Sequence, residues 1–544
     1  MIDQLNSKTF IIFGAGTLAQ RVINECEKGH FKVAYILDND VIKHGRTFAG
    51  HIIKNPQNIS LEENEIILIA SSYSIEIQKQ LRKMSLKSGV DYINYNLLFP
   101  YVNGDMKFSV RQDELSEIGE VLNYSIDDVG VLLKKGNAIY RAIYSNKVKD
   151  TQKILDTISK RNFYNNTIIN TIINDKKTEN FPLILEHAYI PYCSDSRSWS
   201  FSMIRDGFNS IAILLKELRK DNLTLKDAHS LNLTYYDGKY QWIDFGSIIE
   251  GTLKENVFKQ LLEWFLFPCI LMINNQDKAY YEHNYYGGIR YFMIQSFLDE
   301  EGKEILDKLY GDIEEKNMYQ VLEHIQKWME AYLSARMMQK TTEWENYQNY
   351  TEQSLDNSKQ WSKKQKVVFD YIEKCNGNTL IDIAGNNGLF CALASKKLNM
   401  SGVLVDYDYK CIENAYQQFK KHNINFIPLV NDFKGFPENM LFLKQSLKFD
   451  VVLCLAFIHH LIFSNGFTFE RIRDALYKVT GEYLIVEFIE PSDEYVSMWM
   501  NPYFTWYNRE NFEKVFLDKY SLVSVEDVSE SRRVYLMKKN NSKV

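Results

Sequence analysis

One stretch limits the folds open to this chain more than any other. Residues 379–388 read TLIDIAGNNG, and residues 402–406 read GVLVD. An apolar run of β character ends at an acid, Asp382, and enters a turn through Ala384, Gly385, Asn386 and Gly388. The chain then continues into a helical stretch from Leu389 to Leu398. A second apolar run ends at another acid, Asp406, about 20 residues on, with Tyr407 beside it. Strand, glycine-punctuated turn, helix and acid-terminated strand make up the unit with which a Rossmann-like sheet holds a nucleoside. The turn lets backbone approach the ligand, and the second acid accepts bonds from ribose hydroxyls. The turn reads D-x-x-G-x-x-G and lacks the G-x-G-x-x-G of dinucleotide sites, which points away from NAD.

The landmarks that follow have the same polarity. Residues 426–430 read as a strand, with Asn431, Asp432 and Phe433 after it, where an acid would lie near an adenine amino group. Residues 449–461 read as a buried strand running into a loop that faces the ligand and carries His459 and His460, and residues 482–488 read as another that ends in an acid, Glu487. In an open α/β sheet, ligands sit at the carboxyl ends of strands, so Asp382, Asp406, Asp432, the two histidines and Glu487 all fall where a ligand would be. A histidine near its reference pKa of about 6.5 suits a general base, which makes His459 and His460 candidate bases and Glu487 a second acid. Histidines at such a junction also pack under a sheet or cap a helix. Both readings stand.

The C-terminal third resembles the class I S-adenosylmethionine (SAM) methyltransferases, its turn corresponding to their first motif. That resemblance implies SAM as cofactor and methyl transfer as chemistry.

The length of 544 residues exceeds what one core serves and predicts several domains. Residues 1–102 read as a small Rossmann-like unit. A strand at 9–13 leads into a G-x-G-x-x-A turn with Gly14 and Gly16, a helix follows, and a second strand at 33–38 ends in Asp38. That pattern suits a nucleotide or nucleotide sugar, and equally a scaffold that binds nothing. The segment resembles the N-terminal domain of PglD-type sugar acetyltransferases, through this turn and the element at 45–50.

Residues 103–340 are a different object. Paired strands flank a turn at 134–137, and an amphipathic helix covers 201–219. Asp227 is then followed by Asn232 and, after a hairpin through Asp237 and Gly238, by Asp244-Phe245-Gly246. This order resembles the catalytic and metal-binding loops of protein kinases, and the resemblance implies a protein-kinase-like α+β domain. Asp227 would orient a hydroxyl, and Asn232 and Asp244 would hold Mg2+ beside ATP. Departures are evident: Leu225 stands at the H-R-D histidine, no glycine-rich loop is seen near residue 130, and Arg141 is the nearest cation where kinases carry a strand lysine. A kinase-like fold without kinase activity is the other reading. Residues 341–365 are polar and read as a linker or surface helix, and 366–544 as the methyltransferase domain. The fold class is therefore α/β, with a Rossmann-like domain at each end.

Residues 181–540 further resemble a bacterial family that joins a kinase-like region to a SAM methyltransferase, some of its members nodulation-protein-like. The matching pieces are 199–206, 223–228, 456–461, 484–488 and 507–510. The resemblance implies methylation without naming the acceptor. Bifunctional kinase–methyltransferases that cap O-antigen chains offer a looser analogy.

A net charge of −6 argues against bulk electrostatic binding of nucleic acid. Seven scattered cysteines without a C-x-x-C pair read as reduced thiols. With no signal-like start and an apolar run of only 264–273, the expectation is a cytoplasmic protein without a membrane span. A small molecule or glycan is the expected substrate, and a homo-oligomer is left open. Aromatic residues at 280–286 would stack on sugars or pack between elements, and 498–500 with Trp506 would form a lid or core. Three functional readings result. The first is O-methylation of a sugar or surface-polysaccharide precursor. The second is phosphorylation followed by methylation, which adds ATP and Mg2+. The third is a scaffold that binds nucleotides without turnover.

Overall fold

The structure, a computed structural model, describes residues 8–29, 31–62, 64–71, 73–95, 115–126, 129–178, 181–277, 280–281, 288–311, 318–345, 350–435 and 447–540. The chain divides into two compact units, residues 1–158 with 170–189, and residues 159–169 with 190–544. The region expected as one central domain contributes to both.

The first unit holds two sheets. Strands β1 (Thr9–Phe13), β2 (Lys32–Leu37), β3 (Thr47–Phe48), β4 (His51–Lys54), β5 (Glu65–Ile69) and β6 (Tyr92–Asn94) lie in the order β3-β4-β2-β1-β5-β6. All pairings are parallel except β3 with β4. Helices α1 (Thr17–Lys28) and α2 (Ser74–Lys83) follow β1 and β5. The near-continuous apolar runs of β1 and β5 fit a sheet buried on both faces. The second sheet has the order β7 (Glu120–Ile126), β8 (Gly130–Lys135), β9 (Ala138–Ile143), β11 (Leu183–His187), β10 (Thr171–Asn174), with α3 (Val148–Ser159) between β9 and β10 in the chain.

The second unit contains α4 (Phe201–Lys220), whose apolar residues recur at helical spacing and are mostly buried. A short pair, β12 (Leu223–Leu225) with β15 (Ile248–Glu250), brackets the hairpin β13 (Leu233–Tyr236) and β14 (Lys239–Trp242). Helix α5 (Glu255–Ile273) follows. It is longer than the apolar run alone implied and, by length and composition, could cross a membrane. However, 72% of its apolar window is buried inside the protein, as in the core helix of a folded domain.

The C-terminal sheet has seven strands: β16 (Thr379–Ile383), β17 (Ser401–Asp406), β18 (Phe426–Val430), β19 (Phe449–Cys454), β20 (Thr480–Ile489), β21 (Tyr520–Asp527) and β22 (Arg532–Lys539). Their order is β18-β17-β16-β19-β20-β22-β21, parallel except where β22 pairs antiparallel with β20 and β21. Helices α6 (Lys363–Cys375) and α7 (Leu389–Leu398) pack on one face in a core with Leu380, Leu404, Leu453, Ile485 and Leu536. Helices α8 (Tyr409–His422), α9 (Ile458–Asn465), α10 (Phe469–Val479) and α11 (Glu494–Trp499) complete the part needed below. Ser362 and Gln365 form a reciprocal capping box at the start of α6, so this helix begins inside the span expected as a linker.

Candidate active site

The strand order reverses at β16, so the crevice that such a sheet offers a ligand lies above the carboxyl ends of β16, β17 and β19. The turn after β16 is held in an uncommon shape. Ala384, Asn386 and Gly388 have φ of 57°, 52° and 76°, a left-handed conformation that costs a non-glycine residue about 1–2 kcal/mol. Backbone bonds from Ala384 N and Gly385 N to the Val405 carbonyl, at 2.8 and 3.3 Å, tie the turn to β17. A Cβ on Gly385 would stand 2.5 Å from the Asp382 carboxyl, and one on Gly388 would stand 2.5 Å from Phe419. These glycines, expected to make room for a ligand, make room first for the protein's own side chains.

Asp406 ends β17 with its carboxylate accepting from Asn386 N at 2.8 Å and Asp408 N at 2.9 Å. Two amides leave lone pairs over for hydroxyl donors. Burial pushes its pKa up to about 6, against the pull of those amides. Asp382 is buried deeper; desolvation and then the charge of Asp406 push it up to about 8. Beyond β18, Asn431 N donates to the Asp406 carbonyl at 2.9 Å, Asp432 is half-buried, and Phe433 packs edge-on against Phe457 with centroids 4.6 Å apart. A small apolar cavity beside them is lined by Ile383, Phe433, Cys454, Phe457 and Leu461, among others. Tyr407 stands exposed at the rim.

His459 and His460 were expected in a loop. They lie instead in the first turn of α9, because the apolar run stops being a strand at Cys454 and turns through Ala456 at φ 48°. The His459 ring stacks on Trp499 at 5.8 Å and lies 4.2 Å from His460. Burial, with the charge of His460 second, pushes His459 down to about 3. His460 is half-buried; burial lowers it as well, and Glu343 pulls the other way. Glu487, near the end of β20, is fully buried with Lys364 Nζ 2.5 Å from Oε2.

The expected linker crosses this site. Trp344 and Glu345 carbonyls accept from Asn386 Nδ2 and Asn387 Nδ2, both at 2.9 Å, and Thr342 Oγ1 donates to Asp408 at 3.0 Å. The Trp344 ring stands edge-on to His460 at 5.8 Å. Sequence reading missed this strap and Lys364; its one signal was a tryptophan inside an otherwise polar stretch.

The other expected residues lie on other elements. Asp227, Asn232 and Asp244 sit on the loops joining β12 to β13 and β14 to β15. Asp227 Oδ1 is 3.4 Å from Gln260 Nε2, Asp244 accepts from Gly246 N at 3.1 Å, and the Asn232 carbonyl accepts from Ile243 N at 2.8 Å. Burial lowers the pKa of His229 beside them, while the charges of Asp227 and Asp244 oppose it. Among the described residues no three His, Cys, Asp or Glu side chains converge as a metal site. In the first unit, Gly14 has φ 126°, and a Cβ there would lie 2.5 Å from the Ala70 carbonyl. Gly16 caps α1 without a side-chain bond. Asp38 accepts from Ala15 N at 2.8 Å and pairs with Lys43 at 3.1 Å. Of the aromatic run at 280–286, residues 282–286 lie outside the described residues. Tyr280 and Tyr281 turn inward, donating to the Ser196 and Trp199 carbonyls at 2.8 Å each.

SAM is a nucleoside with a charged amino-acid tail, and the strand ends offer oxygens suited to its donors. Asn386 Oδ1, Asn431 Oδ1 and Glu487 Oε1 are buried without a hydrogen-bond partner, which is costly unless something supplies one. The residues present fit the group.

Numbered within the sheet, the strand order is 3-2-1-4-5-7-6 with strand 7 alone antiparallel to the rest. The C-terminal third has the class I SAM-dependent methyltransferase fold.

Residues 6–89 match the family described as C2185-like, N-terminal. Nodulation protein NoeA of Rhizobium meliloti (strain 1021) is 23% identical over 394 residues, 64% of this chain and 80% of that protein. Similar solved structures include a SAM-dependent methyltransferase from Clostridium acetobutylicum ATCC 824, at 12% identity, TM-score 0.27, 33% of this chain and 92% of the other. Magnesium protoporphyrin IX methyltransferase (ChlM) from Synechocystis PCC 6803 matches at 13% identity, TM-score 0.25, 46% of this chain and 96% of the other. The bifunctional kinase-methyltransferase WbdD matches at 16% identity, TM-score 0.26, 33% of this chain and 40% of the other.

Proposed function

We propose that this chain is a SAM-dependent O-methyltransferase acting on a hydroxyl of a sugar or surface-polysaccharide precursor. The observation that carries the SAM-dependent part is the crevice at the strand reversal. There Asp406 retains acceptor capacity and three buried oxygens, on Asn386, Asn431 and Glu487, await donors. Asp406 would take the ribose hydroxyls, Asp432 the adenine amino group, and Phe433 with Phe457 the purine face. When bound, the cofactor supplies an electrophilic methyl group. The chain's own contribution is positioning along one line and removal of the acceptor's proton. His460 is the better base of the pair, because it is half-buried and Glu343 favours its protonated form, whereas His459 is held neutral in the core. Trp344, His460 and Trp499 would wall the acceptor side with aromatic rings, which suits the apolar face of a sugar. Calorimetric titration of SAM into wild type and Asp406→Ala tests this reading: binding that the variant loses supports it, and absence of binding to wild type defeats it. Incubation with radiolabelled SAM and nucleotide-sugar or glycan acceptors tests the substrate class.

A second reading adds phosphoryl transfer. Its support is the β12–β15 arrangement, which presents Asp227, Asn232 and Asp244 in the order of a kinase catalytic loop, and the five-stranded sheet with one helix after its third strand. Mg2+-dependent ATP binding lost in Asp244→Ala would favour it.

A further inference from the structure

Lys364 and Glu487 form a second, unassigned part of the same crevice. Lys364 stands in the first turn of α6, which packs against β20 and β22. Its Nζ reaches Glu487 Oε2 at 2.5 Å, and its side chain is 25% exposed while that of Glu487 is 0% exposed. The other oxygen, Oε1, is buried and without a partner. Register places Asp382 beside Leu453 on β19, and Leu453 beside Ile485 on β20. Glu487, two residues further along, therefore shares the face of Asp382 at a lateral separation of two strands, roughly 10 Å. Two buried acids flank this end of the crevice with one lysine between them. A buried carboxylate left short of a partner is costly, and a second cation would resolve the shortage.

We infer that Lys364 and Glu487 form the receptor for the amino-acid end of a SAM-class ligand, Glu487 Oε1 accepting from its ammonium and Lys364 binding its carboxylate. This rests on the methyltransferase reading above. It assigns Glu487 to holding the ligand, where the sequence suggested an acid for catalysis, and it gives Lys364 a binding role. The zwitterionic tail matches the pair charge for charge, and each contact is a charge-assisted hydrogen bond.

Calorimetry on the full chain tests the inference with two ligands: S-adenosylhomocysteine, which keeps the amino-acid tail, and 5′-methylthioadenosine, which lacks it. Lys364→Met and the isosteric Glu487→Gln should each weaken the first by about tenfold or more, the size of one lost charge-assisted bond. They should leave the second within about twofold. Circular dichroism melts check that both variants are folded, and Lys364→Arg should restore part of the loss. Equal weakening of both ligands, or of neither, overturns the inference while leaving the methyltransferase reading intact. If wild type binds neither ligand, the methyltransferase reading falls and the inference with it.

Discussion

Single residues set the electrostatic character of the crevice. Asp382 is held at about 8, mainly by burial and then by Asp406. A carboxyl whose folded pKa is raised contributes stability that is fully present below its unfolded value of about 3.9 and is lost as pH rises through about 8. The ligand-free protein should therefore melt at lower temperature at pH 9 than at pH 6. Asp382→Asn should flatten that slope, and a parallel slope in the variant would refute the assignment. A cation brought into the crevice favours the ionised carboxyl, so SAM binding near pH 7 should release a proton, visible as a buffer-dependent calorimetric enthalpy. At the acceptor side, His460→Asn should lower kcat by about 100-fold or more if this residue is the base, with little change in SAM affinity. His459→Asn should act chiefly through the melting temperature, because that ring is packed on Trp499.

At the scale of elements, the strap matters more than its composition suggests. Residues 342–345 bond to the turn after β16 through two asparagine side chains and to the cap of α8 through Thr342. Asp408 does two jobs: it caps α8 by accepting from Lys410 N and Cys411 N at 2.9 and 3.2 Å, and it accepts from Thr342. Asp408→Ala should cost about 1 kcal/mol from the cap alone and loosen the strap. The expected result is a lowered denaturation midpoint together with faster protease cleavage near residue 344. Unchanged cleavage would mean that Thr342 is not what holds the strap. The strap was illegible in the sequence because its bonds come from backbone carbonyls, which every residue has.

The second unit joins its central helices to the C-terminal sheet through a partly buried polar network. Asp206 on α4 accepts from Tyr416 at 2.8 Å and Lys420 at 2.7 Å, both on α8, and Ser202 N donates to Glu413 at 2.9 Å. Tyr192 stacks on Phe449 at 5.3 Å. Tyr416→Phe leaves a partly buried carboxylate short of one donor, a loss of about 1 kcal/mol. Because α8 is capped by Asp408, two residues beyond Asp406, the variant should also weaken SAM binding. A normal affinity in a destabilised protein would show that the network serves the fold alone.

Five of the seven strands of the C-terminal sheet (all but β21 and β22), the helix after its first strand and the acids at the strand ends were legible in the sequence. Their causes are local: apolar runs bounded by turns form strands, and the chain's polarity puts Asp382, Asp406 and Asp432 at carboxyl ends. The helical setting of His459 and His460 was not legible, because a short apolar run gives little sign of where strand yields to helix. Nor was the company each charge keeps. Asp382 beside Asp406, Lys364 on Glu487 and Trp344 over His460 join residues distant in sequence, and no periodicity encodes such meetings. The sequence determined which crevice this protein builds. Tertiary packing alone decided which side chains are driven into it, and burial beside one another is what moves their charges.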